Sequence, residues 1–337
     1  MRLPARSAAM ILGVAATLAY PAAASAAEPR AFPTQPIRLI VPFAPGGGME
    51  SAVRMVVQKI NESGWPQLIV DNRPGGTGTV AALATRQAAP DGHTLMLIAL
   101  STHAINPVLV PDLKYDPLKD FTPITLLFSY PSVIAVPAAS PVKSLDDLVH
   151  LARTRPDGLS YASPGPGTVA HILALMLESA TRTSMVHVPA RGGGPALLDV
   201  LAGRVDFIVL NPSAIVPNVQ AGQLRLLAVT SKTRLSDLPD VPTMAELGYP
   251  QVFLDGWFGI AGPAGMADEL VDTIHGKFTE ALRAPDLDRR LKEQGWIVDP
   301  IAPREFRHLI ERDIARLRPV LAGTDSTHSQ IPNGRQP

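Results

Sequence analysis

Two segments of this chain combine residue types suited to holding anions. Phe43-Ala44-Pro45-Gly46-Gly47-Gly48 and Ser163-Pro164-Gly165-Pro166-Gly167-Thr168 each follow a short apolar run and precede a stretch with helical spacing. Glycine lets the backbone turn sharply and lets a ligand approach its N–H groups. A helix start adds unpaired N–H donors and a partial positive charge. Each loop is therefore able to hold one carboxylate or phosphate without a basic side chain, although a plain strand-to-helix turn would need the same glycines. Two such loops, one in each half of the chain, point to a single ligand shared between them.

Other chemistry is poorly supported. Gly165, Gly167 and Ala170 fit the G-x-G-x-x-A spacing of dinucleotide sites, yet Met185 to Ala190 carries no acid for a ribose. Pro164 and Pro166 also remove two N–H donors that a pyrophosphate would use. Neither G-x-x-x-x-G-K-[ST] nor G-x-S-x-G occurs. The eight histidines show no H-x-x-x-H or H-E-x-x-H spacing, which argues against zinc. His171, one turn beyond the second loop, either packs inside its domain or reaches a ligand. Asp206, in the run Gly203-Arg204-Val205-Asp206-Phe207, is either a satisfied structural acid or part of a cleft. Asp146-Asp147 and Asp286-Asp288 read as first-turn helix acids. The expectation is a non-catalytic binder with no cofactor and no metal.

The elements that must carry these loops follow from periodicity. The 337 residues suggest about two domains, and 46% hydrophobic content supplies two cores. The 30 basic and 30 acidic residues balance, which excludes the basic excess of a nucleic-acid binder. Absence of cysteine excludes disulfides, thiolate metal sites, cysteine nucleophiles and a lipid-modified N-terminal cysteine. Strand patterns at Ile37 to Phe43, Gln67 to Val70 and Thr94 to Ala99 alternate with helical ones, implying a mostly parallel sheet flanked by helices. The rhythm restarts with strands at Ser132 to Val136, Leu159 to Ala162, Met185 to Val188, Val205 to Leu210 and Leu224 to Thr230. Ser144-Leu145-Asp146-Asp147 predicts a capped helix start. After Trp257 to Ala261 the chain is helical to Leu321, and these helices have no sheet of their own. They are expected to return to the first unit.

Arg2 and Arg6, the apolar stretch Ala8 to Tyr20 and the small residues Ala24-Ser25-Ala26 have the form of a secretory signal peptide. Thirteen apolar residues are too few for a membrane span, which needs about 20. Cleavage near Ala26/Ala27 would release an exported protein into the periplasm.

A series of ordered motifs then stands out: PIRLIVPFAPGGG from Pro36, DNRPGGTGT from Asp71, PDGHTL from Pro90, YDPLKDF from Tyr115 and YASPGPGTVAH from Tyr161. HVPARGGGPALLDVLAGRVD from His187, AGQLRLLAVTS from Ala221 and DVPTMAELG from Asp240 follow. Together they resemble the substrate-binding proteins of tripartite tricarboxylate transporters, the Bug family of periplasmic solute receptors, from about Pro36 to Leu321. The resemblance implies a type II periplasmic-binding-protein fold, two α/β lobes with a ligand cleft between them. With it go lobe 1 over 27–131, lobe 2 over 132–254 and a helical return to lobe 1 over 255–322; the leader motif sets 1–26 apart as a signal peptide, and polar composition predicts a disordered tail over 323–337.

Carried over, Phe43 to Met49 would hold one carboxylate. Ser163, Gly165, Gly167 and Thr168 would meet it, or a second anionic group, from the opposite lobe through backbone N–H groups and ordered water. Ser101, Asn106, Ala190 and Asp206 are further candidates for the cleft. The family usually has aspartate where Glu50 stands, and P-Y-K-G where this chain has Pro189-Ala190-Arg191-Gly192. Losing the tyrosine widens the expected pocket, and arginine offers a forked donor in place of a point charge. The implied partners are a small organic anion and, transiently, integral membrane transporter subunits. The receptor is expected to act as a monomer. A sensor component for a membrane kinase, an exported enzyme acting on a small organic acid, and an interaction protein without a solute are the alternatives.

Overall fold

Ile37–Val41 (β1) is apolar except for Arg38, and four of its five residues are buried because it runs between two neighbours in a sheet covered on both faces. This placement is described by a computed structural model, which covers residues 32–45, 48–190 and 192–322. The expected leader and tail, together with Gly46, Gly47 and Arg191, lie outside the described residues.

After β1 the chain continues through α1 (Gly48–Glu62), β2 (Leu68–Asn72), α2 (Thr79–Arg86) and β3 (Thr94–Ala99). A π-helical turn at Ser101–Ile105 leads into α3 (Asn106–Leu109), followed by β4 (Phe121–Tyr130). The second sheet begins with β5 (Val133–Pro137), α4 (Leu145–Thr154), β6 (Leu159–Ser163), α5 (Val169–Thr181) and β7 (Met185–Pro189). It is completed through α6 (Gly193–Leu201), β8 (Phe207–Leu210), α7 (Pro212–Gln220) and β9 (Leu224–Val229). The chain then returns as β10 (Gly256–Pro263) and closes with α8 (Asp268–Leu282), α9 (Pro285–Glu293) and α10 (Pro303–Ala322). The expected cap of α4 is present: Ser144 Oγ accepts from Asp147 N at 3.1 Å and Asp147 Oδ2 accepts from Ser144 N at 3.0 Å.

The sheets run in the orders β2-β1-β3-β10-β4 and β7-β6-β8-β5-β9. They are not mostly parallel, as the alternation suggested. β1 pairs parallel with β2 and β3, but β10 is antiparallel to both β3 and β4. Likewise β6 is parallel to β7 and β8, while β5 is antiparallel to β8 and β9. The reason is a crossing after β4 and a return as β10. β4 leaves the first sheet through Pro131 and Ser132 and becomes β5 of the second, and the segment after β9 brings β10 back into the first. β4 itself was not legible in the sequence. Pro123 interrupts its pattern, and the structure tolerates that proline because β4 is an edge strand.

These directions place the site. β4 runs antiparallel to β10 and so in the sense of β3, ending at Tyr130 beside the C-terminal ends of β1 and β3. After two intervening residues β5 starts, and its antiparallel pairing with β8 puts that start at the C-terminal ends of β6 and β8. A crossing this short brings the loop-bearing ends of the two sheets next to each other. The α8 and α10 helices pack on β4, α1 lies against α8 and α9, and α10 also meets α5.

Candidate functional site

The first loop leaves β1 at Pro42 and enters α1 at Gly48. Phe43 is half-buried, its ring edge-on to Phe258 at 6.1 Å and its carbonyl accepting from Asn72 Nδ2 at 3.1 Å. Ala44 and Pro45 are exposed, and Met49 packs on the first sheet's core. A Cβ built on Gly48 would lie 4.0 Å from Trp296, in ordinary contact. Glu50, in the first turn of α1, is 4% exposed and accepts from Arg54 Nη2 at 2.7 Å. A negative charge there suits the helix start but leaves less of its positive field for a ligand. Gly46 and Gly47, expected to hold a carboxylate, lie outside the described residues.

The second loop is described throughout, and its bonding corrects one expectation. The N–H groups of this loop were expected to grip a carboxylate, but most are taken internally. Gly165 N donates to Ser163 Oγ at 3.1 Å, Gly167 N to His171 Nδ1 at 3.1 Å and Thr168 N to Gly165 O at 3.4 Å. Thr168 caps α5, its Oγ1 accepting from His171 N at 3.4 Å and donating to Gly165 O at 2.7 Å. By helix geometry the donors that remain outside the ladder at this start are the N–H groups of Val169 and Ala170. Those donors and the helix dipole, rather than the glycine amides, are what this loop presents.

Beneath the loop lies a column of rings that sequence reasoning missed. The β6–β7 register sets Tyr161 opposite His187, and the two rings stack at 4.9 Å. His171 stacks on the other side of His187 at 4.1 Å, and Ser163 Oγ lies 2.7 Å from His187 Nε2. His171 is 3% exposed, so it is a buried support of the loop. The signal that could have found His187 was the parallel pairing of its strand with β6, which spacing alone does not reveal.

Ala190 sits at the facing end of β7, half-buried, with its N–H donating to Ser163 O at 3.0 Å. Gly192 N donates to Pro164 O at 3.1 Å, so the two glycine-rich turns of the second sheet are sewn side by side. Ser101 is also brought to a facing end, half-buried at the start of the π-helical turn after β3.

Two other candidates are placed elsewhere. Asn106 is 6% exposed, and its Nδ2 donates to Thr77 O at 2.8 Å and to Tyr115 OH at 3.3 Å. It fastens the DNRPGGTGT turn to α3 and does not present its amide to a ligand. Asp206 precedes β8, at the end opposite the loops. Its Oδ2 accepts from Ser160 N at 2.8 Å and Ser160 Oγ at 2.9 Å, and its Oδ1 pairs with Arg155 at 2.6 Å. Of its two sequence readings, the structural acid is the one found. Among the described residues no group of three His, Cys, Asp or Glu stands close enough to hold a metal, and no helix is long and apolar enough to cross a membrane.

Comparison with known proteins agrees with this architecture. Residues 53–324 match the model of the tripartite tricarboxylate transporter family receptor. BugT of Bordetella pertussis is 31% identical over 87% of this chain and 90% of its own. Among solved structures, MatC of Rhodopseudomonas palustris with bound malate is 31% identical with TM-score 0.74, over 86% of this chain and all (100%) of that one. An R. palustris protein with adipate is 30% identical with TM-score 0.76, over 86% of this chain and 97% of that one. With this family's model matched over most of the chain and its motifs carried on two sheets whose loop-bearing ends adjoin, the chain belongs to the family of tripartite tricarboxylate transporter receptors.

Proposed function

We propose that the protein captures a small organic dicarboxylate or related acid between the first glycine loop and the start of α5, and hands it to membrane transporter subunits. The observation that carries this reading is the pair of long helices, α1 and α5, whose N-termini open at the adjoining ends of the two sheets. Similarity to receptors holding malate and adipate supports a carboxylate as the ligand. Binding without chemistry fits Ser163, the one hydroxyl of the site beside an imidazole. It is fully buried, its Oγ bonded to Gly165 N and O and lying 2.7 Å from His187 Nε2, so no face of it is open to a ligand.

The functional units of this reading are a lobe over 27–131 with its return over 255–322, and a second lobe over 132–254, acting as a monomer that closes by hinge motion at the crossings. Widening at Ala190, where the family usually has tyrosine, favours acids larger than malate.

Each charge-assisted hydrogen bond contributes roughly 1.5–3 kcal/mol, enough from two helix starts for micromolar affinity after ordering costs. A ligand at about 100 times its dissociation constant adds about 2.7 kcal/mol of stability. At roughly 2–4 °C per kcal/mol, the melting midpoint should rise by several degrees. Thermal-shift screening of C4 to C8 dicarboxylates, tricarboxylates and aromatic acids, with the matching amides, tests this. Stabilisation by acids alone is the expected result, and equal stabilisation by amides or sugars with none from acids overturns the reading.

The same proposal places the protein in the periplasm after removal of residues 1–26. Intact-mass measurement of exported material should give a chain beginning at Ala27, and a full-length, membrane-retained product would contradict it.

A further inference from the structure

The second glycine loop is tied down by a circuit that closes on one side chain of β7. His187 Nε2 lies 2.7 Å from Ser163 Oγ, and Ser163 Oγ accepts from Gly165 N at 3.1 Å. Gly165 O accepts from Thr168 Oγ1 at 2.7 Å, and Thr168 caps α5 by accepting from His171 N at 3.4 Å. The His171 ring returns the path to His187, stacking on it at 4.1 Å while its Nδ1 accepts from Gly167 N at 3.1 Å. Gly165 and Gly167, with φ +141° and +70°, are the residues that this circuit holds in place.

The Ser163 hydroxyl has one hydrogen and two acceptors within reach, His187 Nε2 at 2.7 Å and Gly165 O at 3.1 Å. Gly165 O has two lone pairs, and Thr168 already directs Oγ1 and N toward them, at 2.7 and 3.4 Å. The imidazole nitrogen is nearer and has the stronger claim on the hydrogen. His187 is then neutral, accepting at Nε2 with its ring proton on Nδ1. His171, which accepts at Nδ1, takes the opposite tautomer.

The direction of the His187 acceptor is fixed by packing. Its ring lies between Tyr161 at 4.9 Å and His171 at 4.1 Å, with planes within 15° and 12° of parallel. A ring enclosed on both faces cannot tip, so Nε2 stays aimed at Ser163. Without that acceptor the Ser163 hydrogen would turn to Gly165 O and compete there with the Thr168 hydroxyl. The cap of α5 would loosen, and with it the direction of the Val169 and Ala170 N–H groups.

We propose that His187 is a positioning residue of the capture site: by drawing the Ser163 hydrogen to Nε2 it leaves Gly165 O to Thr168, and so keeps the start of α5 aimed at the acid. The role rests on the capture reading above and adds to it a residue that acts through the loop.

Two measurements on the whole mature protein test it. Nitrogen NMR spectra of the histidine rings without ligand come first, at about pH 8, above the ordinary imidazole range near 6.5. His187 Nε2 should appear there as an unprotonated acceptor, and its resonance should move in Ser163→Ala, which removes the donor. Calorimetric titration with adipate into a cycle of variants comes second. His187→Phe keeps the stacked ring and loses the acceptor. It should weaken adipate about fivefold, the worth of one neutral hydrogen bond, while retaining a cooperative melt. In the Ser163→Ala background the same substitution should change affinity by less than about twofold, because the hydrogen it would release is already gone. A loss of equal size in both backgrounds would mean that His187 acts by packing alone, and overturns the proposal. So does a His187 Nε2 that carries the ring proton, or parent-like affinity in His187→Phe. A parent that binds neither adipate nor any other acid of the thermal screen overturns the capture reading, and the role with it.

Discussion

Replacing Gly165 with valine should raise the dissociation constant for the captured acid by about 30-fold or more. Gly165 has φ +141°, a conformation that side chains other than hydrogen rarely adopt. The strain is conformational rather than steric, since a Cβ there would meet only Ala190 O, at 3.5 Å. Holding a β-branched residue in such a region costs on the order of 1–3 kcal/mol, and about 2 kcal/mol corresponds to roughly 30-fold in affinity. Relief of that strain would break the bonds that shape the loop, among them Thr168 Oγ1 donating to Gly165 O at 2.7 Å, which fixes the cap of α5. The core below remains, so the fold should persist with a midpoint lowered by a few degrees. Titration calorimetry beside a thermal melt distinguishes the two effects. Parent-like affinity in the variant would mean that the loop is an ordinary turn.

A second large effect should appear in the pH dependence of stability. Asp255 lies on the return segment just before β10, with its Oδ1 buried and without a partner. Burial pushes its carboxyl up to about 7; Arg316 and Lys232 oppose the rise, and Asp313 adds to it. Asp313 is itself raised by burial, against the bond it accepts from Trp257 Nε1 at 2.8 Å, while Arg316 and Lys232 lie over the Phe253 ring at 4.7 and 5.4 Å.

An unfolded aspartate titrates near 3.9, so between about pH 4 and 7 the folded chain holds a proton that the unfolded chain has lost. Stability is therefore highest at the acid end of that window and falls as pH rises through it. A rise of about three units at 1.36 kcal/mol each corresponds to about 4 kcal/mol by pH 8. Asp255→Asn removes the ionisation. Its midpoint should match the parent near pH 4.5 and exceed it by about 8 °C at pH 8, taking roughly 2 °C per kcal/mol for a chain of this size. Glu178, also raised by burial to about 7, keeps a slope of the same sign in both proteins. Parallel curves of midpoint against pH would show that Asp255 is not the group responsible.

The limits of sequence reading fall at identifiable residues. The strand β1, the cap at Ser144 and the glycine turns into α1 and α5 were legible because each is set within a few residues. Apolar periodicity, a hydroxyl beside a helix start and glycine at a tight turn act locally. The strand β4 and the helix α7 were hidden by Pro123 and Pro217, which stand where a pattern search expects an interruption. Asn106 and Asp206 look alike as polar candidates in the sequence. Their partners decide their roles: Asn106 bonds a carbonyl 29 residues away and Asp206 a strand 46 residues away.

By itself, then, the sequence determined an α/β chain with two strand-to-helix glycine loops and no charge excess, because those properties follow from composition and near-neighbour geometry. Tertiary structure decided the rest. It carried the chain from β4 straight into the second sheet as β5 and returned β10 to the first, so that the two loop-bearing ends adjoin. It took up the N–H groups of Gly165 and Gly167 within their own loop, stacked His171 on His187 beneath it, and lifted Asp255 by enclosing it. Each of these depends on which distant groups meet, and on how much water they exclude, quantities that no short stretch of sequence contains.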